Sequence, residues 1–557
     1  MPHAYLDPRR HLLVVGVLAF VVIVLLSAAL SPTSGSGSGS FQFPGLLPSS
    51  WSSNHAADKA APQGRPDLLR HVHNECAKPD EFEERFGRAN IRMSRAYEGS
   101  FGRMERFVNK VLAGEPVKIG IVGGSVTKGH GIWESEQYWV LLGSWLESFF
   151  GRSDIVRVNG AIPASGSDYF SYCFSLHVPA DADLVFIELG INDEGLPEHT
   201  DNMENLIRGL SAMENAPAVV LLDIIGMGSG QMAGSGGRMH LPVAQYFDVP
   251  VVSQRLPLAK HFARFPEVVP LYFVPNYWQD PDLRHINARG HKDMAGLISS
   301  LFRDVTCDMV NNPKPNRLYT SDPAPVLESL PGRNYDAETR DVLGSDAVDE
   351  IHRLQAGWPT EMQSFLHVPR RKNDEDKDPD PMLYPGVWMN PAEFGMLPRL
   401  RSLEGWDYNL EHRSPEFRPH CLSTRATEPK FNLTPIASEG WEWWVHPDYK
   451  DKPYLLARDP GAKVTFEIDT AMGLIRIYSL RSATFGFGKV LCWVGDDREH
   501  GVTVDGYWDN KDLNIGRFST IGEWLEPGKH TVTCELLKET SDPEGRTEFR
   551  LISLMSR

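Results

Sequence analysis

Val117-Lys118-Ile119-Gly120-Ile121-Val122-Gly123-Gly124-Ser125-Val126-Thr127-Lys128-Gly129 runs from an apolar, β-branched stretch into two glycines and a serine. A short apolar run closed by Gly-Gly suits a strand covered on both faces that ends in a tight turn. Four more such runs follow, at Ile155–Val158, Leu184–Leu189, Val219–Ile225 and Val249–Val252. Helix-like stretches lie around Tyr138–Phe150, Ser167–Leu176, Met203–Met213 and Asn287–Phe302, and Phe101, Met104, Val108 and Val111 mark another ahead of the first run. Strands alternating with helices predict a parallel sheet covered on both faces, in which ligands bind beyond the carboxyl ends of the strands. Ser125 stands at one such end. Asn192, in Gly190-Ile191-Asn192-Asp193, stands at another.

Far downstream, Asp282-Leu283-Arg284-His285 places an acid and a base three residues apart on a short loop or turn. A serine hydroxyl attacks an ester only when a base takes its proton and a third group orients that base. Ser125, His285 and Asp282 supply the three roles. The tetrahedral intermediate also needs donors aimed at its oxyanion, and the backbone N–H of Ser125, a glycine N–H and the Asn192 amide are available. Blander roles exist for each residue. Gly-Gly-Ser alone is also a tight strand-to-helix turn, and Asn192 or Asp193 suits a cap. His291 competes with His285 for the base, although it lies in a helix-forming run, and Asp280 and Asp293 are lesser candidates for the acid.

These residues resemble the four ordered blocks of the SGNH (GDSL-type) hydrolases, over about residues 115–305. The first block is Gly123-Gly124-Ser125-Val126-Thr127; the second is Asn159-Gly160-Ala161-Ile162-Pro163-Ala164-Ser165-Gly166-Ser167. The third is Gly190-Ile191-Asn192-Asp193 and the last Asp282-Leu283-Arg284-His285. The resemblance extends to membrane-anchored eukaryotic members, fungal ones among them, with a β-rich C-terminal extension. It implies an SGNH-type, flavodoxin-like α/β domain and a serine esterase that needs no metal or organic cofactor. It also implies an oxyanion hole made of Ser125, Gly166 and Asn192, with Gly160 in reserve. An acyl ester is the implied substrate, most simply an O-acetylated glycan. Acyl transfer to a sugar hydroxyl and a catalytically silent glycan-binding protein are the alternatives. Two departures stand out. Gly124 replaces the aspartate usual before the nucleophile, and the second block spaces Asn159 from Gly166 more widely than usual.

The rest of the 557-residue chain divides by composition. Residues 1–11 read as a cytoplasmic N-terminus. Leu12–Leu30 is an uncharged run of 19 residues behind Arg9, Arg10 and His11, enough to span a hydrocarbon core of about 30 Å. The basic flank predicts a single-pass type II anchor with everything after Ser31 luminal or extracellular. A cleaved signal peptide ending at Ser27-Ala28-Ala29 is the alternative. Residues 31–66, with alternating Ser and Gly, read as a flexible stem. Residues 67–310 form the hydrolase domain, 311–438 an irregular proline-rich linker region, and 439–557 a β-sandwich of alternating strands. Trp441, Trp443 and Trp444 open that last region, either as a sugar-stacking platform or as half-buried strand residues. Six cysteines suit an oxidising compartment and permit 15 full pairings. Cys492 and Cys534, both in strand-like runs, are the first pair to test. No cysteine pair has metal-ligand spacing, and Asn432-Leu433-Thr434 is a glycosylation sequon followed by Pro435. A net charge of −17 argues against a nucleic-acid partner, which requires a basic face.

Overall fold

The computed structural model describes residues 66–228, 232, 234–312, 399–400, 419–447, 449–511 and 514–557. The anchor at 12–30, the stem except Pro66, and most of 311–438 lie outside the described residues. Among the described residues no helix is long and apolar enough to cross a membrane.

The five apolar runs are strands. β1 (Arg95–Tyr97) precedes them, followed by β2 (Lys118–Gly123), β3 (Val156–Asn159), β4 (Leu184–Glu188), β5 (Ala218–Asp223) and β6 (Val251–Ser253). They form one sheet in the order β1-β6-β5-β4-β2-β3. β2 to β6 are parallel. β1 adds an antiparallel edge that its sequence does not announce, since its three residues are too few to show a period. β4 and β5 are buried at every position, which is why they read as continuous apolar runs instead of alternating ones. The chain leaves β2 for β3 on one side and then crosses to β4 on the other. The carboxyl ends of β2 and β4 therefore flank the point where strand order reverses, the place where such sheets bind ligands.

Two apolar layers sandwich the sheet. One packs the helices Gly102–Leu112, Tyr138–Phe150 and Ala288–Asn311 through residues such as Phe107, Leu146 and Phe302. The other packs Ser167–Cys173, Glu198–Ser211 and Ser235–Tyr246 through Phe170, Leu206 and Phe247. A short hairpin, β7 (Phe273–Pro275) with β8 (Pro281–Ile286), carries the last block. Asp282 and His285 thus stand on a strand where a loop or turn was expected. The run is polar and only half-buried, so its apolar pattern is weak.

The C-terminal region is a β-sandwich. One sheet orders Ala437–Glu439, Lys463–Thr470, Gly528–Leu536, Lys489–Val494 and Val502–Asp505. The other orders Trp441–His446, Tyr449–Ala457, Phe549–Ser556, Ile475–Arg481 and Ile515–Gly522, with His420–Ser423 sharing an edge of Phe549–Ser556. The sandwich therefore begins earlier than residue 439. The strand His420–Ser423 falls inside the stretch read as linker, because four residues among prolines carry no readable alternation. The second sheet also joins the α/β core: Tyr454, Tyr478, Leu480, Ile552 and Met555 pack in the same apolar layer as Phe170 and Leu206. Trp441 is buried, Trp444 half-buried beneath the Arg550 guanidinium, and Trp443 half-exposed. The three tryptophans therefore make no common platform.

All six cysteines are paired, as Cys76–Cys307, Cys173–Cys421 and Cys492–Cys534. Cys492 and Cys534 are direct cross-strand partners. Cys173 lies in the helix Ser167–Cys173 and Cys421 in the sandwich, so that bond closes a loop of 248 residues. Replacing both Cys173 and Cys421 by serine should cost roughly 2–5 kcal/mol of stability. A guanidinium melt under non-oxidising and oxidising conditions checks this, and equal midpoints in variant and parent would contradict it.

Candidate active site

β2 ends at Gly123, and the next turn begins a four-residue helix whose first residue is Ser125. The Ser125 Oγ lies 2.7 Å from His285 Nε2. His285 Nδ1 lies 2.7 Å from Asp282 Oδ2. A carboxylate only accepts, so Nδ1 donates to Asp282 and Nε2 is left to accept from the serine. Asp282 Oδ1 accepts the backbone N–H groups of Arg284 at 3.0 Å and His285 at 3.4 Å. Burial opposes ionisation of Asp282, but the His285 hydrogen bond and charge and these N–H donors outweigh it and hold its pKa at about 2. The candidate base and acid are thus poised in the tautomer that nucleophile activation requires.

The other histidine candidate is placed differently. His291 is fully buried, accepts the Tyr138 backbone N–H at Nδ1 over 3.2 Å, and is pushed down to a pKa of about 3 by burial and the nearby His285. It is a neutral packing residue. Asp293 bonds Tyr272 Oη at 2.7 Å and pairs with Arg85, and the Asp280 backbone belongs to the hairpin turn. Neither carboxylate is bonded to His285.

The three expected donors stand on neighbouring turns. As the first helical residue, Ser125 has a backbone N–H with no acceptor in its own helix. Gly166 caps the helix Ser167–Cys173, so its N–H is likewise outside the helical ladder. The Asn192 side chain follows β4 and joins the two turns. Its Nδ2 donates to Ser165 O at 2.9 Å and lies where a Cβ on Gly124 would stand. Gly124 is therefore a steric requirement of Asn192. Gly166 is held from both sides: Asn192 grips the preceding carbonyl, and Asp193 Oδ1 accepts the Ser167 N–H at 2.8 Å. Any side chain at Gly166 would strike Asp193. Gly160, the reserve donor, gives its N–H to Ile121 O at 2.9 Å and is occupied by the sheet edge.

Glu188 and His130 went unread in the sequence, and Asp193 was read only as a cap. Asp193 is a buried hub that also bonds His240 Nε2 at 2.7 Å and faces His199 Nδ1 at 3.3 Å. Burial would raise its pKa, but those imidazoles and the Ser167 N–H hold it well below the usual carboxylate range. Glu188, the last residue of β4, accepts the Thr127 hydroxyl at 2.9 Å. Burial pushes its pKa up to about 8, against the Thr127 bond and the N–H groups of Gly124 and Ile191. His130 packs against His285 with ring centres 4.3 Å apart and planes tilted by 40°, and burial with the nearby His285 lowers its pKa. Only the short Gly-His pair after the first block hinted at His130. Exposed aromatic residues surround this region in the chain: Trp133 follows the nucleophile helix, and Tyr277 and Trp278 form the turn of the β7–β8 hairpin.

Among the described residues, His130, Asp282 and His285 form the single histidine–carboxylate cluster with metal-ligand proximity, their ligand atoms lying within 4.8 Å of one another. Both nitrogens of His285 are already engaged, by Asp282 and Ser125, so a cation bound to His285 would have to displace one of these two bonds.

A scan against protein-family models finds no match, and neither does a search of curated proteins. Solved structures do match. A two-domain esterase (CEX) active on acetylated mannans is 17% identical at a TM-score of 0.53, with 84% of this chain and 98% of that chain covered. Its structure co-crystallised with mannopentaose gives 17% and 0.53 over 84% and 97%. A member of the lipolytic protein G-D-S-L family from Veillonella parvula gives 12% and 0.25 over 33% of this chain and 97% of that one. Sheet order and the two-domain match together show a helix-covered, mostly parallel α/β sheet joined to a β-rich C-terminal region, the fold of that two-domain esterase.

Two predictions follow from the packing and charge of the site. Gly124→Ala should cost about 1–3 kcal/mol through overpacking against Asn192, and much less in an Asn192→Ala background; a double-mutant cycle by chemical denaturation reads the coupling. The folded-state pKa of Asp282 lies below the usual aspartate value. The stability it contributes is therefore present above about pH 4 and lost as pH falls toward 2. Discounted for solvent screening, that is about 1 kcal/mol, and Asp282→Asn should flatten this part of the stability–pH curve.

Proposed function

We propose that the protein is a serine esterase that removes an acyl group, acetyl in the first instance, from a hydroxyl of a glycan. The observation that carries this reading is the bonded chain Ser125–His285–Asp282, with two contacts of 2.7 Å, and the Asn192 amide packed against Gly124 next to the serine. His285 Nε2 takes the Ser125 proton as Oγ attacks the ester carbonyl, and Asp282 stabilises the imidazolium that forms. The oxyanion of the tetrahedral intermediate is met by the two backbone N–H groups and the Asn192 amide, each donor worth roughly 3 kcal/mol in a preorganised site. Collapse expels the alcohol, which takes the imidazolium proton. Water, deprotonated by the same histidine, then releases the acid from the acyl-enzyme.

Support for an active site over a silent glycan binder comes from Gly124. The residue that departs from the family pattern is accounted for by the close approach of Asn192, not by loss of a working group. Support for a glycan substrate is the acetylated-mannan activity of the two-domain esterase of like fold and the exposed Trp133, Tyr277 and Trp278 near the triad in sequence. Aromatic faces of this kind stack well on sugar rings. The compartment proposed is luminal or extracellular, with residues 12–30 as the anchor; three disulfides support an oxidising environment.

Ser125→Ala should lower turnover of an acetylated oligosaccharide by several orders of magnitude, with His285→Ala close behind and Asp282→Asn leaving a residual rate. Asn192→Ala should lower kcat roughly 10²–10³-fold with little change in KM, because its amide acts on charge that appears only in the transition state. Steady-state kinetics on the purified ectodomain, with released acetate as the signal, decides the matter. Wild-type turnover by the Ser125 variant would remove the serine from the mechanism.

A further inference from the structure

The turn Pro163-Ala164-Ser165-Gly166, gripped by Asn192 and Asp193 on one side, is held on the other from the C-terminal sandwich. Arg425, buried just after the strand His420–Ser423, donates from a single Nη1 to Pro163 O at 3.0 Å and Ser165 Oγ at 2.9 Å. Ala164 O accepts the Gly516 N–H at 3.0 Å and the Tyr478 hydroxyl at 3.4 Å. The same hydroxyl reaches Asp168 Oδ1 at 3.4 Å. Arg517, beside Gly516, places Nη1 3.6 Å from Asp168 Oδ2 and Nη2 3.0 Å from Glu194 Oε1. Ala164 itself stands at φ 59, a left-handed conformation that a non-glycine residue holds only when its surroundings impose it.

We propose that the sandwich is a structural half of the oxyanion hole, with Arg425 and Tyr478 as positioning residues that clamp the strained Ala164 turn and so aim the Gly166 N–H. Neither touches the reacting atoms. Both act on the peptide groups immediately before the donor, while Asn192 and Asp193 hold the same turn from the hydrolase side. An oxyanion donor works only when it points at the position where charge develops, and a displacement of about 1 Å costs on the order of 10²-fold in rate. Removing the clamp therefore weakens transition-state binding while leaving the Ser125–His285–Asp282 chain in place.

This inference rests on the proposed esterase activity. The test measures released acetate from an acetylated oligosaccharide and from p-nitrophenyl acetate, using the full ectodomain and the variants Arg425→Met, Arg425→Lys and Tyr478→Phe. Arg425→Met should lower kcat about 10–100-fold with KM within twofold. Its acid limb in the pH profile of kcat/KM should coincide with that of the parent, because the His285 environment is untouched. Arg425→Lys, whose ammonium also presents several donors from one nitrogen, should recover most of the loss. If Arg425→Met does not melt cooperatively, Tyr478→Phe, which removes one hydroxyl and no volume of ring, is read by the same criteria with an expected loss of about 3–10-fold. Folded variants with parental kcat, a loss confined to KM, or a displaced acid limb overturn the positioning role alone. A parent without Ser125-dependent turnover overturns the esterase reading and this inference with it.

Discussion

Gly123 and Glu188 are partners in the parallel register of β2 and β4, so the turns that follow the two strands must share one small volume. Most of the local chemistry follows from that constraint. The β2 turn presents Ser125 and the β4 turn presents Asn192. Their closeness leaves no room for a side chain at Gly124. The peptide N–H groups of both turns need an acceptor away from water, and the Glu188 carboxyl supplies it for Gly124 and Ile191. A buried polar group without a partner costs 1–3 kcal/mol, so the carboxyl beneath the turns is a consequence of the crossing point as much as a choice of residue.

The electrostatics of the site separate into two kinds. Around Ser125 the polar groups are half-exposed, with Asp282 held ionised and bonded to His285. Behind Gly166 they are buried and fixed. Asp193 is held ionised by His199, His240 and the Ser167 N–H, whereas burial raises the neighbouring Asp168 carboxyl despite Arg517. Fully buried networks of this type specify one arrangement because each member left unpaired is costly. The mobile chemistry thus sits on a hairpin and a helix start, while the donors are set in a rigid polar core.

The apolar layer on one face of the parallel sheet continues without a break into the sandwich, and the Cys173–Cys421 bond crosses the same junction. Tyr169, on the helix that Gly166 caps, bonds His177 at 2.8 Å and Ser423 of the sandwich at 3.1 Å. A domain tethered only by a linker would resemble a transient interface, polar and modest in area. Here the junction has the character of a protein interior, so the two parts meet as a single folded body.

The local patterns were legible in the chain itself. Continuous apolar runs reported the strands β2 to β6, of which β4 and β5 are buried at every position while the edge strand β3 is partly exposed, and Gly-Gly-Ser and Gly-Ile-Asn-Asp marked the turns, whereas Asp-x-x-His gave the acid and base but not the hairpin that carries them. The cross-strand pair Cys492–Cys534 could be singled out because both residues sit in alternating runs. Short strands such as Arg95–Tyr97 and His420–Ser423 carry too few residues to show a period, so they emerge only from pairing with distant partners. The same holds for the roles of Glu188, Asp193 and Arg425. Their effects come from burial and from partners such as Thr127, Ser167 and Pro163, which lie 61, 26 and 262 positions away respectively, and no local pattern encodes that. Composition and spacing determined which polar residues stand at the strand ends; tertiary packing alone decided which of them meet, since that depends on distances set by the sheet register and by a second domain.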